Sequence, residues 1–178
     1  MSGQALSLLG QRLLGPTLSS SAQFIDVLSG VNRASDSKSQ GVRRVAVGTR
    51  GTDGSTVAFP PWPDVMPALT CLWQWLHRAN VPLFVRSTAA MLAICNIHPF
   101  VDGNGRAARW LFNTIILGGT TPPQRTLPLY EYFHRDGGTS TLLFRTVELS
   151  GDWDPLFAYI AAILDEMAYR RSLANAWL

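Results

Sequence analysis

Along most of the chain apolar residues return every three or four positions, the spacing of a helix face, with polar residues between them. "ALSLLGQRLL" and "SAQFIDVLSGV" each predict a short helix, and "NRASDSKSQG", the most polar stretch, predicts an exposed loop. From Asp64, the residues Val65, Leu69, Leu72, Trp73 and Leu76 share one face of a helix. Asp64 can cap that helix, and Pro67 is tolerable so near its start. "VPLFVRSTAAMLAICNI" is apolar around most of its circumference and predicts a central helix. "RAARWLFNTIIL" predicts another long one, stopped by Gly118 and Gly119. "PLYEYFH" and "TLLFRTVEL" are shorter candidates, and the final helix begins at Asp154-Pro155, an N-cap followed by proline.

One region changes period. "VRRVAVG" and "TVAFPP" are β-branched runs around the Gly- and Asp-rich "TRGTDGS", which predicts a hairpin. Pro60, Pro61 and Pro63 end its second strand and keep it out of a larger sheet. Such a hairpin is marginal alone, so it either packs on helices or awaits a partner strand. The expected fold class is all-α, a helical bundle with a small β-hairpin. Residues 1–19 read as an N-terminal extension, 20–170 as one domain and 171–178 as a tail.

Composition changes this picture little. With 178 residues, 47% hydrophobic and 15% charged, the chain can bury a core and is not disordered. A net charge of +3, spread without blocks, mildly favours an anionic ligand and gives no sign of a nucleic-acid arm. Cys71 and Cys95 lie in apolar runs without a C-x-x-C pair, which predicts buried free thiols in a reducing compartment. The first residues lack the pattern of a signal peptide, and no apolar run approaches the roughly 20 residues needed to cross a bilayer. A soluble, cytoplasmic protein that binds neither nucleic acid nor membrane is the expectation.

The candidate chemistry is concentrated in "IHPFVDGNGRAARW", between the two most apolar helices. His98 precedes Pro99 and so is pushed out of helical geometry, ending the first helix. Gly103 and Gly105 permit a sharp turn, and the next helix starts at about Asn104 to Arg106 with unpartnered N–H groups. Loop and helix start together suit an anion. Arg106 and Arg109 share a face in the first turns, where cations oppose the helix dipole unless an anion sits between them. A polyphosphate fits, and Asp102 would then need Mg²⁺ as a bridge to it. His98 beside the phosphates could take a proton near neutral pH. Each feature has a plainer reading by itself: a structural His, a tight turn, a solvated helix face. Their order in one loop is what points to phosphoryl or nucleotidyl transfer. No Walker loop occurs, and His77 and His134 read as surface or packing residues.

"HPFVDGNGRAAR" resembles the signature of the Fic family, His-Pro-Phe-x-(Asp/Glu)-Gly-Asn-Gly-Arg-x-x-Arg, at every fixed position. "VLSGV", Gly41, Arg43, the hairpin, "FPP", the helix at Asp64 and "GDWDPLFAYI" are also similar, so the resemblance spans roughly Phe24 to Leu164. It implies a transferase that binds ATP and Mg²⁺ and passes AMP to a Ser, Thr or Tyr hydroxyl of a target protein. By position, His98 would be the base and Asp102 the metal ligand, while Gly103, Asn104 and Gly105 would form the anion hole. Arg106 would contact the outer phosphates, Arg109 the γ-phosphate, and Phe100 would anchor the loop. The hairpin, 42–60, would be a flap whose Val45, Ala46, Val47 and Gly48 dock the target by strand addition. Transfer of UMP, phosphocholine or phosphate, removal of AMP, or plain nucleotide binding are the alternatives the same loop allows.

Two departures accompany the resemblance. The family's inhibitory motif, (Ser/Thr)-x-x-x-Glu-(Gly/Asn), is not found around Glu131, Glu148 or Glu166, which follow Leu127, Phe144 and Ala162 by four positions. A small antitoxin supplying that glutamate is one expectation, as for a toxin or an effector. Ser140-Thr141 stands where paired tyrosines are frequent, which bears on the adenine side of the site.

Overall fold

In a computed structural model, residues 20–35, 41–50, 56–77, 80–118 and 126–176 are described. The expected helix within "ALSLLGQRLL", the centre of the hairpin turn and Gly119 lie outside them. Among the described residues the order is α1 (Ser21–Ser35), β1 (Gly48–Arg50), β2 (Thr56–Ala58), α2 (Trp62–Leu76), α3 (Leu83–Ile97), α4 (Asn104–Ile116), α5 (Leu129–Arg135), α6 (Thr139–Ser150) and α7 (Asp154–Ala176). The fold is helical with one two-stranded antiparallel sheet, as the periodicity indicates. The chain divides into two compact units, 1–126 and 127–178.

The first unit is built around α3 and α4, its most closely packed pair. On α4 the residues Ala107, Ala108, Leu111, Phe112 and Ile115 form the buried strip, and on α3 Ala90, Met91 and Ile94 answer it. Small residues in both strips let the two axes approach. Phe24, Val27, Leu28 and Val31 of α1 and Val65, Leu69 and Leu72 of α2 are also buried. Each large side chain so removed from water contributes about 1.5–3 kcal/mol before entropy is charged against it. This core fixes the end of α3 and the start of α4, and hence the loop between them.

Several local readings are corrected. Helix α1 continues through Asn32 and Arg33 to Ser35, so the polar stretch is helical where it begins, and Asn32 is 1% exposed. Helix α2 starts at Trp62 after Pro61, and Asp64 lies in its first turn without capping it. Cys71 is exposed rather than buried, because it sits on the opposite side of α2 from Leu69 and Leu72. Residues 171–176 continue α7 rather than forming a tail.

The hairpin is shorter than expected. Its register pairs Gly48 with Ala58, Thr49 with Val57 and Arg50 with Thr56, and the Phe59 amide adds a bond to the Val47 carbonyl at 3.2 Å. Val45 and Ala46 therefore lie before the ladder, and Val47 only touches its end. The Arg43 amide bonds the Pro99 carbonyl at 2.8 Å, which holds the chain before the hairpin to the loop after α3 instead of β2.

In the second unit, the residues before α6 are organised by Asp136. Its carboxylate accepts the Gly138 and Ser140 amides, each at 2.8 Å, and the Tyr159 hydroxyl of α7 at 2.7 Å.

Candidate functional site

His98 stands at the end of α3 in the left-handed conformation, φ 51° and ψ 58°, with its amide still bonded to the Ile94 carbonyl at 3.0 Å. A non-glycine residue rarely holds that conformation, which persists only where neighbours over-determine it. The imidazole Nδ1 lies 3.1 Å from the Cys95 carbonyl. A carbonyl can only accept, so Nδ1 carries a proton, and in the neutral ring Nε2 keeps the lone pair. The ring of Phe59, just past β2, stacks on the imidazole with centroids 3.6 Å apart and planes 13° apart. Burial lowers the His98 pKa and the nearby Arg43 charge acts the same way, while the bond to Cys95 and the Asp102 charge oppose them. The net shift is downward, towards a neutral ring.

Phe100 is buried and anchors the loop, as its apolar character suggests. The loop is closed by Asn104, whose Oδ1 accepts the Phe100 amide at 2.9 Å while Nδ2 donates to the Phe100 carbonyl at 2.8 Å. That side chain is thus committed to the turn, and only the Asn104 backbone amide is presented at the helix start. Gly103 has φ 83°, and a Cβ there would meet Asn32 Nδ2 at 2.5 Å. The Asn32 amide meanwhile donates to the Asp102 carbonyl at 2.7 Å, tying α1 to the loop. At Gly105 a Cβ would meet Arg109 Nη1 at 3.1 Å, so glycine leaves this guanidinium its place over the first turn. The first helical bond of α4 runs from Ala107 to Gly103, and earlier N–H groups point out of the helix start.

Asp102 is exposed, accepts the Gly103 amide at 2.6 Å and pairs with Arg106 at 3.2 Å. Its hard oxygens suit a divalent cation, and no group of three or more His, Cys, Asp or Glu occurs among the described residues. A cation here would be shared between one carboxylate and the phosphates of a ligand, which suits Mg²⁺. His98, Asp102, Gly103, Asn104, Gly105, Arg106 and Arg109 are therefore brought together at one helix junction. Val45 and Ala46 are exposed on the segment leading into the hairpin, and Gly48 is exposed at the start of β1. A cleft of about 1040 Å³ beside the loop is lined by Asp26, Arg43, Val45, Trp62, Met66 and Asp102, among others.

Three residues here carry no local sequence signal: Arg43, Phe59 and Asn32. Each reaches the loop across tens of residues, and only the resemblance to a known family at Gly41, Arg43 and "FPP" hints at Arg43 and Phe59. His77 is exposed with Nδ1 on the Trp73 carbonyl, and the exposed His134 stacks on Tyr130, so neither joins the site.

Known proteins share this sequence pattern and this fold. Protein adenylyltransferase Fic of Drosophila erecta is 30% identical over 113 residues, which are 58% of this chain and 20% of that protein. The Aedes aegypti protein of the same name is 30% identical over 106 residues, 57% of this chain and 20% of its own length. The chain thus spans about a fifth of the curated relatives it matches. Among solved structures, a Fic family protein from Desulfovibrio desulfuricans superposes with a TM-score of 0.72 at 22% identity, covering 96% of this chain and 52% of that one. Fic-1 from C. elegans gives 0.57 at 21% identity, covering 96% and 51%. Residues 22–116, more than half of the 178, match the Fic/DOC family and contain every residue of the loop, and the chain belongs to that family.

Proposed function

We propose that the chain is a protein adenylyltransferase that moves AMP from ATP to a Ser, Thr or Tyr hydroxyl of a target protein. The observation that carries this reading is the imidazole of His98, held by Nδ1 on the Cys95 carbonyl beside a helix start that bears two arginines. His98 Nε2 takes the hydroxyl proton, and the oxygen attacks the α-phosphorus. The bond from the α-phosphorus to the bridging oxygen breaks, and pyrophosphate leaves. Asn104 and Gly105 receive the phosphate oxygens through backbone N–H groups, joined by the Gly103 amide once it leaves the Asp102 carboxylate, and Arg106 and Arg109 hold the outer phosphates. Mg²⁺ bound at Asp102 would neutralise part of the phosphate charge. The target runs along the open edge of the hairpin, near exposed Val45 and Gly48, in the manner of an added strand. Inhibition comes from a glutamate brought to Arg109 by another segment or by a small antitoxin.

The decisive experiment incubates the chain and a lysate with α-labelled ATP, in parallel with labelled UTP and CTP, against His98→Ala. Label passing from ATP to protein, and lost in the variant, supports the reading. Preference for another nucleotide would reassign the group transferred, and transfer unaffected by His98→Ala would remove the base.

A further inference from the structure

We propose that Arg43 is the positioning residue for His98, clamping the base of the flap to the end of α3 so that the imidazole has one place to be. The proposal rests on His98 as the base of the reaction above, but its geometry is independent of which group is transferred.

The Arg43 residue is 3% exposed and forms no ion pair with a carboxylate among the described residues. Every polar partner of its guanidinium is a backbone carbonyl. Nε donates to His98 at 2.7 Å, Nη1 to Val45 at 3.0 Å, and Nη2 to Pro60 at 2.6 Å and Ile97 at 3.4 Å. With its own amide on the Pro99 carbonyl, Arg43 engages three successive carbonyls, those of Ile97, His98 and Pro99. The carbonyls of Ile97 and His98 are groups that a terminating helix leaves without intrahelical donors, and a cation at that end also suits the dipole.

The same fork reaches both sides of the hairpin, Val45 before β1 and Pro60 after β2. Pro60 follows Phe59, the residue stacked on the imidazole. One guanidinium therefore fixes the backbone that carries the ring of His98 and the backbone that carries the ring covering it. This accounts for the left-handed φ of His98, which local sequence does not favour. A lysine could not reproduce it, since a single ammonium cannot span carbonyls on opposite sides of a planar fork.

The test uses the full chain labelled at histidine nitrogen and carbon, with Arg43→Gln and Arg43→Lys. The chain has three histidines, so His98→Ala identifies the His98 signals outright. The native protein should show the Nδ1–H tautomer and Overhauser contacts between Phe59 and His98. In Arg43→Gln the helical circular dichroism should persist, while the contacts vanish and the tautomers average. The transfer kcat should fall at least tenfold with ATP affinity by calorimetry within twofold, and Arg43→Lys should restore less than half the rate. A folded Arg43→Gln with unchanged His98 signals and Phe59 contacts overturns the proposal. If that variant does not fold, exchange of the Arg43 Nε–H in the native chain decides: slow exchange supports the clamp, and exchange as fast as at exposed arginines overturns it. A chain that fails to bind ATP or transfer any nucleotide overturns the proposed function instead, and leaves the resonance measurements to judge Arg43.

Discussion

The ring of Phe59 lies flat on the imidazole of His98, 3.6 Å between centroids, so a residue of the flap covers one face of the group at the end of α3. Stacked pairs of this kind contribute about 0.5–1.5 kcal/mol beyond their buried area. Phe59→Ala should free the imidazole and lower the transfer rate about 10–100-fold, the usual effect of misplacing a reacting group. Phe59→Tyr should stay near the native rate. Single-turnover kinetics with α-labelled ATP measure both, and an Ala variant within twofold of native would remove Phe59 from this role.

The acid limb of activity follows from His98. Burial is the largest cause of its lowered pKa, so the neutral form persists below the ordinary histidine value of about 6.5. Only the neutral ring accepts a proton, so kcat/KM should be flat near neutrality and fall as pH drops through a midpoint below that value. A midpoint above it, measured from about pH 5 to pH 8, contradicts the assignment.

Asn104 closes the loop with two hydrogen bonds to Phe100, and both Phe100 groups are buried. Asn104→Ala leaves a donor and an acceptor unsatisfied and should cost about 2–4 kcal/mol. Asn104→Asp keeps the acceptor but loses the donor, so it should fall between native and Ala. Urea unfolding ranks the three, and an Ala variant as stable as native refutes the clasp.

Arg109 sits over Gly105 at the start of α4. Arg109→Ala should raise the KM for ATP about 10–100-fold, the worth of a charge-assisted contact to phosphate, without loss of helix content. An unchanged rate at limiting ATP would exclude it from phosphate binding.

Outside the site, Asp136 should govern acid stability of the second unit. Burial alone would raise its pKa, but the bonds from Tyr159, Ser140 and Gly138 together hold it below the usual carboxylate value. The fold therefore favours the ionised form: its contribution is complete above the unfolded pKa and is lost as pH falls through the lower folded one. Asp136→Ala should cost about 1–2 kcal/mol near neutral pH and progressively less in acid. Thermal melts of both proteins across that range give the comparison, and a pH-independent difference would contradict it.

Much of this was legible in the sequence because it is local. Val65, Leu69 and Leu72 are buried on one face of α2 as their spacing indicates, and Asp154-Pro155 opens α7. His98 to Arg109 is a single short run, so its resemblance to the family could be read before its geometry. Two of the larger errors have one source, contacts made at a distance. Val42, Val45 and Val47 have strand propensity, but Arg43 is drawn to carbonyls 54 and 55 residues away and the strand does not form there. Asn32, in a stretch read as loop, is buried through a bond spanning 70 residues. The thiol of Cys95, which is half-buried, is pushed up to about 11 by burial despite the Arg109 charge, whereas Cys71, in a similar apolar run, faces outward.

The clasp between Asn104 and Phe100 also bears on how the molecule folds. It joins residues only four apart, as do the Asp102 to Arg106 pair and the His98 to Ile94 bond, so little loop-closure entropy opposes the turn once α3 and α4 meet. The tie from Arg43 must instead enclose more than fifty residues, and such long closures weigh on the rate of folding. The loop between α3 and α4 should therefore be structured early and the hairpin docked late. A chain caught before that last step would already hold the turn from Phe100 to Arg106, with the imidazole of His98 still loose.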